Sequence, residues 1–119
     1  MGVAKTKASH NIYVVELNKK VWTDSWRFRA ANPQYKGILE CLYVGITSHS
    51  PKARYQKHKT GARSKKGHKI SSWYVEKYGL YLRPSLYNKH NPMPLAKAKR
   101  MEKDLSERLR RQGYAVWWN

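Results

Sequence analysis

Asn11-Ile12-Tyr13-Val14-Val15 and Leu42-Tyr43-Val44-Gly45 are the two stretches on which the reading of the fold turns. Both are rich in the aliphatic and aromatic residues that fill half-buried strands, so strands are expected over 12–17 and 41–46, paired antiparallel. A single strand tyrosine is usually a core or interface aromatic. Tyr13 and Tyr43 differ only as a pair: on adjacent strands, both hydroxyls can project from one sheet face. Surrounding positive charge is then expected to lower their phenol pKa values.

The link between these strands, 18–40, is much longer than a hairpin turn and carries Trp22, Trp26, Arg27, Phe28, Arg29 and Tyr35. Trp, Tyr and Arg together can stack unpaired bases or bury a small satellite core. Beyond the second strand, Ser50-Pro51 reads as an N-cap with proline at the first helical position, opening a helix that ends near Lys59. A mobile basic loop is expected over 61–69, a short aromatic helix over 70–78 closed by Gly79, and a strand over 80–86, with Pro84 placing it at an edge or a bulge. Asn91, Pro92 and Pro94 precede the clearest helical period of the chain, 95–112, stopped by Gly113. On that helix Ala98, Met101, Leu105 and Leu109 share a face, and Glu102 falls within the same arc while Asp104 and Glu107 face solvent. A final strand is expected over 114–119. The fold class is therefore α/β: a small single-domain sandwich, with a few-stranded, mainly antiparallel sheet flanked by helices, preceded by a flexible basic arm over 1–10.

The chain has 119 residues, 40% of them hydrophobic, with five Trp and nine Tyr, enough for one packed core. Twenty-five Lys and Arg against seven Asp and Glu give a formal charge of +18, which points to an anionic partner, nucleic acid first and DNA above all. A membrane is not expected, because no stretch approaches the roughly 18 apolar residues of a span. Cys41 is the sole cysteine, which excludes an internal disulfide and a multi-cysteine zinc site and suits a reducing, cytoplasmic setting. It reads as a small buried strand residue. His10, His49, His68 and His90 show no metal-ligand spacing and read as surface residues.

Three other side chains can carry chemistry. Desolvating a carboxylate on an apolar helix face costs several kcal/mol, so Glu102 needs a buried arginine such as Arg54, a route to water at the stripe edge, or a cation. A hard divalent cation, Mg²⁺ or Mn²⁺, takes oxygen ligands and often only one or two protein carboxylates beside water and phosphate. Arg54 and His58 lie one helical turn apart and can address the same phosphate, the guanidinium with forked donors and the imidazole by orienting or polarising a water or a tyrosine hydroxyl. Lys59, Arg63, Lys65, Lys66 and Lys69 concentrate positive charge after that helix and are expected to grip phosphates.

Taken in order, the two tyrosine motifs, Arg54 with His58 and the late Glu102 resemble the GIY-YIG nuclease family, over nearly the whole chain from about Asn11 to about Gly113. Asn11 stands where the first motif usually has glycine. The resemblance implies hydrolysis of phosphodiester bonds, with Glu102 as metal ligand, Arg54 as transition-state cation, Tyr13 as general base and Tyr43 holding the phosphate or the water network. Gly45, as the glycine of the second motif, would allow close approach. Some members carry a lysine after this glycine; here Ile46 follows it, and Lys52 is the substitute considered. Asn119 is the available match for a late asparagine near the site. Products would carry 5′-phosphate and 3′-hydroxyl ends.

The expectation is a metal-dependent endonuclease acting on DNA, with Trp22, Trp26, Arg27 and Arg29 favouring single-stranded or branched substrates. A chain of this length leaves little room for a separate targeting domain, so recognition would fall to the nuclease surface or to a partner. Two alternatives stand beside it: a non-catalytic, architectural or ribosome-associated basic protein, and a toxin-like or restriction-type nuclease that needs an inhibitory or methylating partner.

Overall fold

Residues 7–61 and 72–118 are described by the computed structural model. Among them four strands and five α-helices follow in the order β1 (Asn11–Leu17), α1 (Lys20–Asp24), α2 (Trp26–Ala31), β2 (Cys41–Thr47), α3 (Pro51–Thr60), α4 (Trp73–Tyr78), β3 (Gly79–Leu82), α5 (Leu95–Gln112) and β4 (Ala115–Trp118). The expected α/β class is the one observed. The sheet order is β3-β1-β2-β4. β1 is antiparallel to β2, from Asn11 opposite Thr47 to Leu17 opposite Cys41, and antiparallel to β3 on its other side. β4 lies parallel to β2, which requires the chain to cross back between them.

This register places the two tyrosines. Tyr13 stands opposite Gly45 and Val15 opposite Tyr43, so Tyr13, Tyr43 and Gly45 share a sheet face. Gly45 is buried in mid-strand, and a Cβ built on it would meet the Tyr13 ring at 2.5 Å. The close approach at this glycine is thus to a neighbouring ring.

Local chemistry accounts for most element boundaries. Ser50 Oγ accepts from the Ala53 amide at 3.1 Å and Pro51 opens α3, which ends on Gly61 at φ +67°. α5 ends on Gly113 at φ +113°. The strand expected over 80–86 stops at Leu82: the Arg83 amide still donates to the Val14 carbonyl at 2.8 Å, and Pro84 then opens a 3₁₀ turn over Pro84–Leu86. As its proline suggested, this strand is an edge of the sheet. His10, assigned to the arm, instead exchanges backbone hydrogen bonds of 2.9 and 2.8 Å with Met93.

The 18–40 link folds into α1, α2 and a loop that bury a satellite core. Val21 and Phe28 are fully buried, and Trp22 packs on Tyr35 and edge-on to Phe28, at centroid distances of 4.7 and 6.5 Å. Asn32 fastens this unit to the body. Its buried side chain accepts from the Val116 amide (2.7 Å) and Arg110 Nε (3.0 Å) and donates to the Phe28 carbonyl (2.9 Å). On α5, Ala98, Leu105 and Leu109 are buried as the period predicts. No helix among the described residues is long and apolar enough to cross a membrane.

Candidate active site

Tyr13 from β1, Tyr43 from β2 and His58 from α3 form a triangle of rings with centroids 6.2, 5.9 and 5.8 Å apart. Each is at most 2% exposed. His58 bridges two partners: its Nε2 lies 2.6 Å from Tyr13 Oη, and its Nδ1 accepts the Ser72 amide proton, also at 2.6 Å. A backbone N–H can only donate, so Nδ1 is unprotonated and the neutral ring carries its proton on Nε2. His58 therefore donates to Tyr13, an assignment made from the hydrogen-bond network. Burial, reinforced by the Arg54 charge, lowers the imidazole pKa to about 4, so the ring is neutral near pH 7.

The expected lowering of the tyrosine pKa values is not met. Burial, with Tyr43 alongside, pushes Tyr13 well above the usual phenol range, although the charge and hydrogen bonding of Arg54 pull the other way. Tyr43 is raised as well, by burial first and by the Glu102 charge among the lesser causes. Desolvation outweighs a single nearby guanidinium at this depth, so both hydroxyls hold their protons at neutral pH.

Glu102 is half-buried on α5, and burial raises its carboxyl pKa to about 7. It makes no ion pair among the described residues, so the arginine partner considered from sequence is not found there. Its charge reaches Tyr43, and that of Arg54 reaches Tyr13, Tyr43 and His58. Arg54 thus acts on Tyr13, Tyr43 and His58 together, and Glu102 on α5 joins this set through Tyr43. An unpaired carboxylate held partly out of water fits a hard cation, which would lower its pKa again. Among the described residues no group of three or more His, Cys, Asp or Glu stands together, so most ligands of such a cation would be water and phosphate.

The substrate contacts divide. Lys52 is exposed on α3, and Trp26, 65% exposed, carries the Arg27 guanidinium 5.5 Å from its ring centroid. Lys59, exposed near the end of α3, donates to the Gly79 and Glu76 carbonyls at 2.9 and 3.4 Å. Trp22 lies in the satellite core, and half-buried Arg29 donates to the Trp22 and Thr23 carbonyls, each at 2.7 Å. Arg63, Lys65, Lys66, Lys69 and Asn119 lie outside the described residues, as does His68. His90 is partly exposed, with its Nε2 buried and without a hydrogen-bond partner among the described residues. Cys41 is fully buried, as expected.

Ser72 is the site residue that sequence reasoning missed. It contributes a backbone amide, which any residue except proline has, and the one available signal was its place as N-cap of the aromatic helix.

No family model matches the chain, and neither curated proteins nor solved structures give a match.

Proposed function

We propose that the protein is a metal-dependent endonuclease that hydrolyses DNA phosphodiester bonds by in-line attack of water. One observation carries this reading: Glu102, a half-buried carboxylate with no cation partner among the described residues, acts on Tyr43 of the Tyr13–Tyr43–Arg54–His58 cluster. Glu102 would hold Mg²⁺ or Mn²⁺, and that ion, when bound, would supply positive charge at the scissile phosphate. Arg54 offers forked donors to the phosphate oxygens and stabilises the charge that builds up on them. His58 donates Nε2–H to Tyr13 Oη, so the Tyr13 proton is directed away from the imidazole, on the side where Tyr43 hydrogen-bonds to this hydroxyl. Tyr43 holds the neighbouring position on the same sheet face.

The test is incubation of end-labelled single-stranded, duplex and branched DNA, and of RNA, with Mg²⁺ or EDTA, comparing wild type with Glu102→Ala and Arg54→Ala. The expected result is cutting in Mg²⁺ alone, leaving 5′-phosphate and 3′-hydroxyl ends, and reduced about 100-fold or more in each variant. Equal cutting by all three proteins would sink the mechanism.

A second reading, a non-catalytic basic nucleic-acid-binding protein, is favoured by the exposure of Tyr13, Tyr43 and His58, which at 1–2% is that of core aromatics. Binding without metal-dependent cutting on every substrate selects it.

A further inference from the structure

The satellite unit and α4 leave large aromatic side chains uncovered beside the candidate active site. Trp26 on α2 is 65% exposed and Trp73, the first residue of α4, is 49% exposed. Both line one groove, with Tyr74 and Trp117 packed against each other at 5.0 Å between centroids. Cations sit over the exposed rings: Arg27 lies 5.5 Å from the Trp26 centroid and Lys77 lies 5.1 Å from that of Trp73. Among the described residues Asp24 is the sole carboxylate of the lining, and it already accepts the Tyr78 hydroxyl at 2.8 Å.

The groove adjoins the candidate catalytic cluster along both of its walls. Trp117 is the register partner of Tyr43 across the β2–β4 pairing, about 5 Å away and on the same sheet face. Trp73 directly follows Ser72, whose amide fixes His58. A chain threaded along the exposed rings therefore runs past the strand neighbour of Tyr43 and the segment that holds His58.

Exposed indoles with cations at their faces suit a ligand that brings flat apolar surfaces and negative charge at short intervals. Bases in a duplex are already stacked, whereas an unpaired base offers its face. We propose that this groove binds the unpaired bases of a single-stranded nucleic acid by stacking on Trp26 and Trp73, with Arg27 and Lys77 facing its phosphates, and that it selects opened substrates over duplex. The inference deepens the nucleic-acid part of the proposed function and is independent of hydrolysis.

Binding is measured in EDTA with the full chain, using labelled oligothymidylate of about 12 nucleotides, an abasic phosphodiester chain of equal length and a blunt duplex. Wild type is expected to bind oligothymidylate about tenfold or more tightly than the abasic chain. The double variant Trp26→Ala/Trp73→Ala is expected to lose that preference while its duplex affinity changes by less than about twofold. Trp26→Tyr keeps most of the preference that Trp26→Ala loses, and this pair of single variants gives the answer if the double variant folds poorly. Equal affinity of wild type for oligothymidylate and the abasic chain overturns the proposal, as does an equal loss of duplex binding in the double variant. Base-dependent binding without Mg²⁺-dependent cutting removes the nuclease reading and leaves the groove; cutting without base preference does the reverse.

Discussion

Two regions of this protein that hold glutamates partly out of water treat them in opposite ways. Next to the β3 edge of the sheet, Glu16 and Glu40 both accept from Arg83 Nη1, at 2.8 and 3.0 Å. On α5, Glu102 has no such partner among the described residues, and its carboxyl is raised to about 7. Cations are not scarce in a chain with 25 Lys and Arg, and Arg83 shows that the fold can bring one to a shielded carboxylate when the pair is structural. A shielded carboxylate without a cation partner among the described residues is costly to the fold, and perturbed groups of this kind gather at functional sites.

The largest expected effect that can break this comparison is on cleavage. Glu102→Ala and Arg54→Ala are expected to lower the rate about 100-fold or more, whereas Arg83→Ala stays within about threefold per folded molecule, measured on one end-labelled substrate. Comparable losses at Arg83 would erase the distinction between the regions. Next comes the seat of Tyr13: Gly45→Ala places a methyl group 2.5 Å from its ring, and chemical denaturation is expected to show a loss of about 2–3 kcal/mol.

Of similar or smaller size is the contribution of His58. Its folded pKa of about 4 lies below the ordinary 6.5, so the neutral ring stabilises the fold above pH 6.5, and that contribution is lost as pH falls toward 4. Between those limits wild type is expected to lose about 2–3 kcal/mol relative to His58→Gln, read from denaturation at each pH. Smallest is the removal of charge at the two regions. The Glu102 carboxyl has a folded pKa above its ordinary 4.5, so protonation favours the fold, fully below pH 4.5 and no longer once pH has risen through about 7. Glu102→Gln is thus expected to stabilise the protein at pH 8 by about 1 kcal/mol after allowing for solvent screening, and not at pH 4. Glu16→Gln, which weakens a real pair, is expected to destabilise at pH 8. The same sign at both positions contradicts the comparison.

Much of this arrangement was legible in the sequence because local signals coincide with tertiary ones. Val, Ile, Leu and Tyr mark β1 and β2, Ser50-Pro51 and Gly61 frame α3, and the apolar period of α5 puts Glu102 on the inner arc. The helices α1 and α2 were not read, since each is one or two turns long and the unit they form is fastened through Asn32, at the end of α2, to distant groups on α5 and β4. The reason for Gly45 was hidden in the register, which alone brings the Tyr13 ring onto it. Lys59 and Arg29 read as free cations because sequence does not reveal which carbonyls lie within reach. The direction of the tyrosine shifts was misjudged for a related reason: the nearby cation was visible in sequence, and the depth of burial was not.

The central claim, that Glu102 is kept apart for a cation, is tested most directly by following its carboxyl carbon by NMR across a pH titration with and without Mg²⁺. The account predicts a midpoint near 7 in EDTA that falls when Mg²⁺ is added, as the ion competes with the proton. A midpoint that Mg²⁺ leaves unchanged, or one already at the ordinary glutamate value in EDTA, would contradict it.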